Sequence, residues 1–137
     1  MSASTPPKIV LHIDDDEDDR EMVKHAIELH DNSVIMEHAV GGQEGLLALK
    51  QAKQNGRLPS LIILDINMPG MDGRQVLKEI QEDSVLATIP LVLFTTSSSE
   101  LDKLFANSKG VELITKPPQI DKLSQAVQRF LNLANGQ

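Results

Sequence analysis

The sequence predicts an α/β fold, a doubly wound five-stranded parallel sheet with five helices, and two features of the chain indicate it. Short apolar runs rich in Val, Ile and Leu alternate five times with longer amphipathic stretches. Such runs are typical of strands, and the continuously apolar ones are typical of strands buried on both faces. Because consecutive parallel strands need a crossover, each amphipathic stretch is expected to supply one as a helix. The runs occupy residues 9–13, 34–39, 61–64, 91–94 and 111–114.

The amphipathic stretches carry apolar residues at the three- and four-residue spacing of one helix face. Turn-forming pairs such as Asn55-Gly56 and Lys109-Gly110 separate helices from the strands that follow. The pattern is clearest in the last stretch. In chain order, the helix-face residues are Met22, Val23, Ala26 and Ile27; Leu46, Leu49 and Ala52; Val76, Leu77 and Ile80; Leu101, Leu104 and Phe105; and Ile120, Leu123, Val127, Phe130 and Leu131.

Length and composition fit one globular domain. The 137 residues are 40% hydrophobic and 24% charged, an ordinary balance for a folded domain. We expect a flexible lead-in at residues 1–7, a domain over residues 8–134, a short tail at 135–137 and no output domain. The lead-in lacks the basic and apolar regions of a signal peptide. Because the chain has no cysteine, a cytoplasmic location is expected.

Charge and aromatic content disfavour two classes of partner. The formal net charge is −7, so nucleic acid and anionic membrane would be repelled unless a basic patch were present, and the sequence contains none. Three Phe and no Trp or Tyr leave few stacking platforms for single-stranded nucleic acid or a flavin ring. We therefore expect no nucleic-acid partner and no membrane partner.

Acidic residues follow the first and third predicted strands. Asp14 and Asp15 end the first and Asp65 ends the third, and ligands of such sheets bind outside the carboxyl ends of the strands. Carboxylates about 4 Å apart repel by on the order of 4 kcal/mol per pair, so one must be protonated or a cation must bind. Oxygen ligands without His or Cys favour magnesium or a similar divalent cation. Residues 16–19 are interpreted as a helix start, which acidic side chains favour.

Two other metal-binding patterns are disfavoured. An EF-hand counted from Asp14 would have Asp19 where glycine is required and His25 where a bidentate glutamate is required. His25 and His30 lie along one helix at a spacing of five, which is unsuited to shared metal ligation, and His12 and His38 lie in strands. Structural or surface roles, rather than phosphotransfer, are expected for all four.

Polar side chains also end the fourth and fifth strands. Thr95 precedes a Ser-rich helix start, and Lys116 taken alone fits an ion pair. A cis bond before Pro117 is also open. Together with the three Asp, these residues suit phosphoryl transfer. Asp65 would be the nucleophile that forms an acyl phosphate, and Lys116 and the Thr95 hydroxyl would hold phosphoryl oxygens.

Four segments of the chain resemble the response-regulator receiver family of two-component signalling. The resemblance spans residues 8 to about 134, and the second segment is highly specific. The run that begins at Thr95 also resembles small receivers paired with phytochrome-like kinases. The four segments are 13–16 (IDDD), 64–73 (LDINMPGMDG), 94–96 (FTT) and 115–117 (TKP).

The resemblance implies a flavodoxin-like sheet of strand order 2-1-3-4-5 and a set of site residues. Asp65 would be the phosphoacceptor. Asp15, Asp65 and the backbone carbonyl of Asn67 would bind the metal directly, with Asp14 acting mainly through water. Thr95 and Lys116 would respond to the phosphoryl group.

The resemblance also implies partners. The phosphoryl donor would be a sensor histidine kinase or a phosphotransfer protein, and the signal would pass to a downstream protein target by protein contact. The chain would be a monomer, or a homodimer through the face of the fourth helix, fifth strand and fifth helix. It would not be an enzyme, although it would assist its own phosphorylation and dephosphorylation.

Two positions depart from the family pattern. Leu113 stands where the family often has Tyr or Phe, so the usual aromatic rotation that couples the site to the output face is absent. Thr96 stands where many relatives have Ala or Gly. A larger side chain there is expected to impede water and to slow the loss of phosphate.

Three other functions fit the sequence less well. A haloacid-dehalogenase-type phosphatase would use the Asp14-x-Asp16 pair, but Asp18 stands where Thr or Val is expected and the segment 67–69 is left unexplained. A flavodoxin-like electron carrier would need a phosphate-binding loop where this loop is acidic. A pseudo-receiver that only binds partners is disfavoured by the presence of Asp65, Thr95 and Lys116.

Overall fold

The predicted architecture is confirmed. The structure is a computed structural model that describes residues 6–96, 99–118 and 122–137. Its five strands form one parallel sheet in the order β2-β1-β3-β4-β5. The predicted positions of Ser97, Ser98 and Ile120 lie outside the described residues. The elements are β1 (Ile9–Ile13), α1 (Glu17–His30), β2 (Ile35–Ala39), α2 (Gly42–Gln54), β3 (Leu61–Leu64), α3 (Gly73–Glu82), β4 (Leu91–Thr95), α4 (Glu100–Lys109), β5 (Glu112–Thr115) and α5 (Leu123–Ala134), with a short 3₁₀ turn at Leu86–Thr88.

Two hydrophobic cores lie on opposite faces of the sheet. Because side chains alternate along a strand, neighbouring residues of β1 and β3 contribute to different cores. One core packs α2, α3 and α4 against the sheet, and the other packs α1 and α5. Leu11, Ile62, Leu49 and Leu77 belong to the first core, and Val10, Ile63, Ile27 and Phe130 to the second.

The parallel register brings the functional ends of the strands together. Ile13 of β1 pairs with Leu64 of β3, so the residues that follow, Asp14 and Asp65, lie side by side. The backbone N–H of Asp65 donates to the carbonyl of Ile13 at 3.0 Å. At the same end of the sheet, between β4 and β5, the N–H of Lys116 donates to the carbonyl of Thr95 at 2.7 Å.

The helix α4 presents a different face from the one its apolar pattern suggests. Leu101 and Leu104 are 76% and 62% exposed, whereas Asp102 and Ala106 are buried. Asp102 is buried because its carboxylate pairs with the guanidinium of Arg74 on α3. An ion pair, and not apolar spacing alone, therefore orients this helix.

Local capping starts the helices as expected from the sequence. The carboxylate of Asp72 accepts the N–H groups of Arg74 and Gln75 at the start of α3, and Ser99 accepts the N–H of Asp102 at the start of α4. No cis peptide bond occurs in the part of the chain that the structure describes, so the bond before Pro117 is trans. No helix among the described residues is both long and apolar enough to span a bilayer.

The close approach of α3 to the end of β3 requires glycine at position 73. A Cβ there would overlap the carbonyl oxygen of Asp65 and would lie 2.7 Å from the Cα of Ile66. Both contacts are with backbone, which cannot turn aside as a side chain can. Gly73 therefore allows α3 to start directly behind the loop that carries Asp65.

Gly73→Ala is expected to lower the free energy of unfolding by about 1–3 kcal/mol, the usual range for overpacking. Chemical denaturation measures this change, and amide NMR shifts of residues 65–67 would report the displaced loop. Gln75→Ala, on the exposed side of the same helix, is the matched control. Equal stability of the two variants would contradict the close-approach argument.

Candidate functional site

Three carboxylates converge at the carboxyl end of the sheet. Asp14, Asp15 and Asp65 each offer an oxygen, and these oxygens all lie within 4.8 Å of one another. Asp14 and Asp65 are buried, and Asp15 is exposed. The predicted meeting of the first and third strand ends is therefore present in the structure.

Lys116 lies among these carboxylates. Its Nζ is 2.8 Å from Oδ2 of Asp14, 2.7 Å from Oδ2 of Asp19 and 3.3 Å from Oδ2 of Asp65. The ammonium is the common partner of three carboxylates, all of which are distant from Lys116 in the sequence. Three carboxylates thus share one ammonium, and the oxygens of Asp15 add a fourth carboxylate beside Asp14 and Asp65, so the carboxylates of the cluster outnumber its ammonium.

Asp19 is a site residue that sequence reasoning missed. Residues 16–19 were expected to serve only the helix start, and Asp16 does so by accepting the N–H of Asp19 at 3.1 Å. The side chain of Asp19, however, turns back to Lys116. Its place in the first turn of α1, which faces the strand ends, is the only sequence signal that points to it.

The oxygens of Asp14 and Asp15 differ in availability. Oδ1 of Asp14 accepts the N–H of Asp16 at 2.9 Å, and Oδ2 accepts the ammonium of Lys116. Asp15 makes no hydrogen bond to any residue that the structure describes. Asp15 therefore keeps both carboxylate oxygens available among the described residues, whereas both oxygens of Asp14 have a donor.

The two buried aspartates have opposite pKa shifts. Burial alone would raise the pKa of Asp14, but contacts with His12, Lys116 and the N–H of Asp16 outweigh it and lower the pKa to about 2. At Asp65 burial dominates, and it raises the pKa to about 6 against the attraction of Lys116. Burial would lower the pKa of Lys116, but hydrogen bonds to Asp14 and Asp19 raise it well above its ordinary value.

Thr95 and Asn67 lie on the other side of Asp65. The hydroxyl of Thr95, which is buried, accepts the side-chain amide of Asn67 at 3.2 Å. The backbone N–H of Asn67 donates to Oδ1 of Asp65 at 3.2 Å. Thr96 is exposed, and Leu113 is half-buried against the core that contains α3 and α4. All predicted site residues therefore lie at the carboxyl end of the parallel sheet.

The family model of the response regulator receiver domain matches residues 10–128. This chain belongs to the receiver-domain family. The receiver domain is similar along most of its length to Response regulator Rcp1 of Synechocystis sp., with 34% identity over 131 residues that cover 91% of this chain and 87% of Rcp1.

Solved structures of two relatives are similar to the receiver domain in fold. The phosphorylated cyanobacterial phytochrome response regulator RcpA matches with a TM-score of 0.82 at 31% identity, over 90% of each chain. The Mn²⁺-bound form of Rcp1 matches with a TM-score of 0.72 at 31% identity, over 90% of this chain and 91% of that one.

The donor set of the receiver domain fits a hard divalent cation. Asp14, Asp15 and Asp65 offer only oxygen, the ligand that Mg²⁺ and Mn²⁺ prefer. The excess negative charge of the cluster favours a cation further. The chemistry of these residues is therefore consistent with divalent-cation binding.

Asp65→Asn is expected to be more stable than the wild type at neutral pH in metal-free buffer. The pKa of Asp65 is about 6 when folded and 3.8 ordinarily, so folding favours its neutral form. The stability that this preference contributes is fully present below about pH 4, declines as pH rises and is lost above about pH 6.

We expect the free energy of unfolding of Asp65→Asn to exceed that of the wild type increasingly as pH rises from about 4 to about 6. The difference should reach about 1–3 kcal/mol. Urea denaturation from pH 4 to pH 8 measures it. Asp18→Asn, which changes an exposed aspartate in the first turn of α1, is the control and should follow the wild type. A difference in the free energy of unfolding that does not change with pH would refute the raised pKa of Asp65.

Proposed function

We propose that this receiver domain is a phosphoacceptor switch of a two-component or phosphorelay pathway. It takes a phosphoryl group from a histidine kinase onto Asp65 in a magnesium-dependent reaction. One observation carries the proposal. The ammonium of Lys116 lies 3.3 Å from Asp65, beside a cluster of carboxylates whose oxygens are within 4.8 Å of one another. That RcpA has been crystallised in phosphorylated form supports it.

The chemical step is a displacement at phosphorus. A carboxylate oxygen of Asp65 attacks the phosphorus of a phosphohistidine, the P–N bond breaks, and the imidazole leaves with the electron pair. The attacking group must be ionised. With a pKa of about 6, Asp65 is mostly carboxylate at neutral pH.

A divalent cation would supply positive charge against the phosphoryl oxygens, with Asp15, Asp65 and the backbone carbonyl of Asn67 as ligands and Asp14 acting mainly through water. The Mn²⁺-bound structure of Rcp1 supports this choice of cation class. The ammonium of Lys116 would move from the aspartates to one phosphoryl oxygen, and the hydroxyl of Thr95 would hold another.

Partners and location follow from the same proposal. The donor would be a sensor histidine kinase or a phosphotransfer protein in the cytoplasm, and the receiver domain would act on its target by contact and not as an enzyme on another substrate. The output face would comprise α4, β5 and α5, as a monomer or in a homodimer. The exposed Leu101 and Leu104 of α4 support a protein contact there.

The test is acyl phosphate formation with acetyl phosphate as the small-molecule donor. Wild type should gain a phosphoryl group, detected by intact mass, only when Mg²⁺ is present. Asp65→Asn should gain none, because an amide cannot displace at phosphorus. Asp18→Asn should react like the wild type. Phosphorylation that persists in Asp65→Asn would remove the central assignment.

Thr96→Ala is expected to shorten the half-life of the phosphorylated protein. Thr96 is exposed and lines the same small cavity as Lys116, where its side chain would obstruct water approaching the phosphoryl group. The decay of the phosphorylated form after removal of the donor measures the half-life, and Thr96→Ser tests the methyl group alone. An unchanged half-life in Thr96→Ala would show that this side chain does not shield the group.

A further inference from the structure

His12 is a buried polar residue that packing does not explain. It lies in β1, two residues before Asp14, and its side chain is 0% exposed. The other residues of β1 are Ile, Val and Leu, which bury no polar atom. An imidazole in this place brings two ring nitrogens into the core, and leaving a buried polar group unsatisfied costs about 1–3 kcal/mol.

The surroundings of His12 offer one polar partner. Neither ring nitrogen makes a hydrogen bond of good geometry to any residue that the structure describes. The ring packs against Phe94 and His38, with centroids 6.5 Å and 6.2 Å away. Its Nε2 lies 3.4 Å from Oδ2 of Asp14, which is long for a hydrogen bond but within reach of one.

His12 and Lys116 share one oxygen of Asp14. The ammonium of Lys116 contacts Oδ2 of Asp14 at 2.8 Å from the crevice, while the imidazole approaches the same atom from the core. In the proposed phosphorylated state Lys116 turns to the phosphoryl group, and Oδ2 of Asp14 loses its closest partner. The imidazole is then the remaining side-chain donor to this buried oxygen among the described residues.

We propose that His12 is a positioning residue of the metal and phosphoryl site. Its Nε2–H orients the Asp14 carboxylate from the core side of the sheet. The contact tightens when Lys116 leaves, so Asp14 keeps its orientation toward the cation. The inference rests on the proposed function, because it assigns Asp14 to a metal site. Groups that orient a metal-site residue in this way typically change metal affinity by about tenfold or more when removed.

The test compares His12 with its neighbour His38. His38 faces His12 across the β1–β2 pair at the same register, but no contact links it to Asp14. The variants are His12→Leu, His12→Gln, which keeps a donor N–H near the Nε2 position, and His38→Leu. The probe is Mn²⁺ alone, with the free ion measured by electron paramagnetic resonance.

We expect His12→Leu to weaken Mn²⁺ binding by about tenfold, His12→Gln to restore most of the affinity, and His38→Leu to match the wild type. With acetyl phosphate, His12→Leu should need more Mg²⁺ for half-maximal phosphorylation but should approach the wild-type rate at saturation. A purely structural histidine would not separate these two quantities.

Other outcomes overturn the inference in distinguishable ways. Unchanged affinity in His12→Leu, or an equal loss in His38→Leu, would refute the positioning role alone. No Mn²⁺ binding by the wild type would refute the proposed metal site and the inference with it. If His12→Leu does not fold, ¹⁵N NMR of the wild type decides, because the Nε2–H of His12 should be protected from exchange and should shift when Mg²⁺ is added.

Discussion

The ammonium of Lys116 is the contact on which the rest of this site depends. It extends from the end of β5 past β4 and β3 to carboxylates that follow β1 and that lie in the first turn of α1. Without it, several carboxylates would face one another in a partly buried crevice, where water screens their repulsion poorly. The charge that stabilises the carboxyl edge of the sheet is therefore also the charge that a phosphoryl group on Asp65 would attract.

The two buried aspartates of the site differ in how strongly their partners stabilise the ionised form. Asp14 receives a backbone N–H, an ammonium and an imidazole contact, which lower its pKa to about 2 and keep it ionised at neutral pH. Asp65 has only a longer contact with Lys116 and the N–H of Asn67, and burial raises its pKa to about 6. Of these two buried carboxylates, Asp65 is the less stabilised in its ionised form, and it would gain more from a nearby cation.

A continuous set of contacts joins this crevice to α4 without passing through position 113. Gly73 lets α3 start directly against the carbonyl of Asp65, and the next residue, Arg74, pairs with the buried Asp102 of α4. The guanidinium of Arg74 also lies 5.4 Å from the ring centre of Phe105. The loop that carries Asp65 is therefore linked to α4 through Gly73, Arg74 and Asp102, without a contribution from Leu113.

Local patterns were sufficient for the strands, the helices and the aspartates that end β1 and β3, because apolar runs, helical spacing and capping residues act over a few neighbours. A parallel sheet then made it predictable that Asp14, Asp65 and Lys116 lie at the same end of the strands, and the resemblance to the receiver family supplied the strand order that makes β1 and β3 neighbours. Packing decided the rest. Asp19 turns to Lys116, His12 lies under Asp14, and Asp102 is buried while Leu101 is exposed, and none of these follows from spacing along the chain. Each depends on a charged or polar partner from a distant segment, and such a partner becomes a neighbour only when the chain has folded.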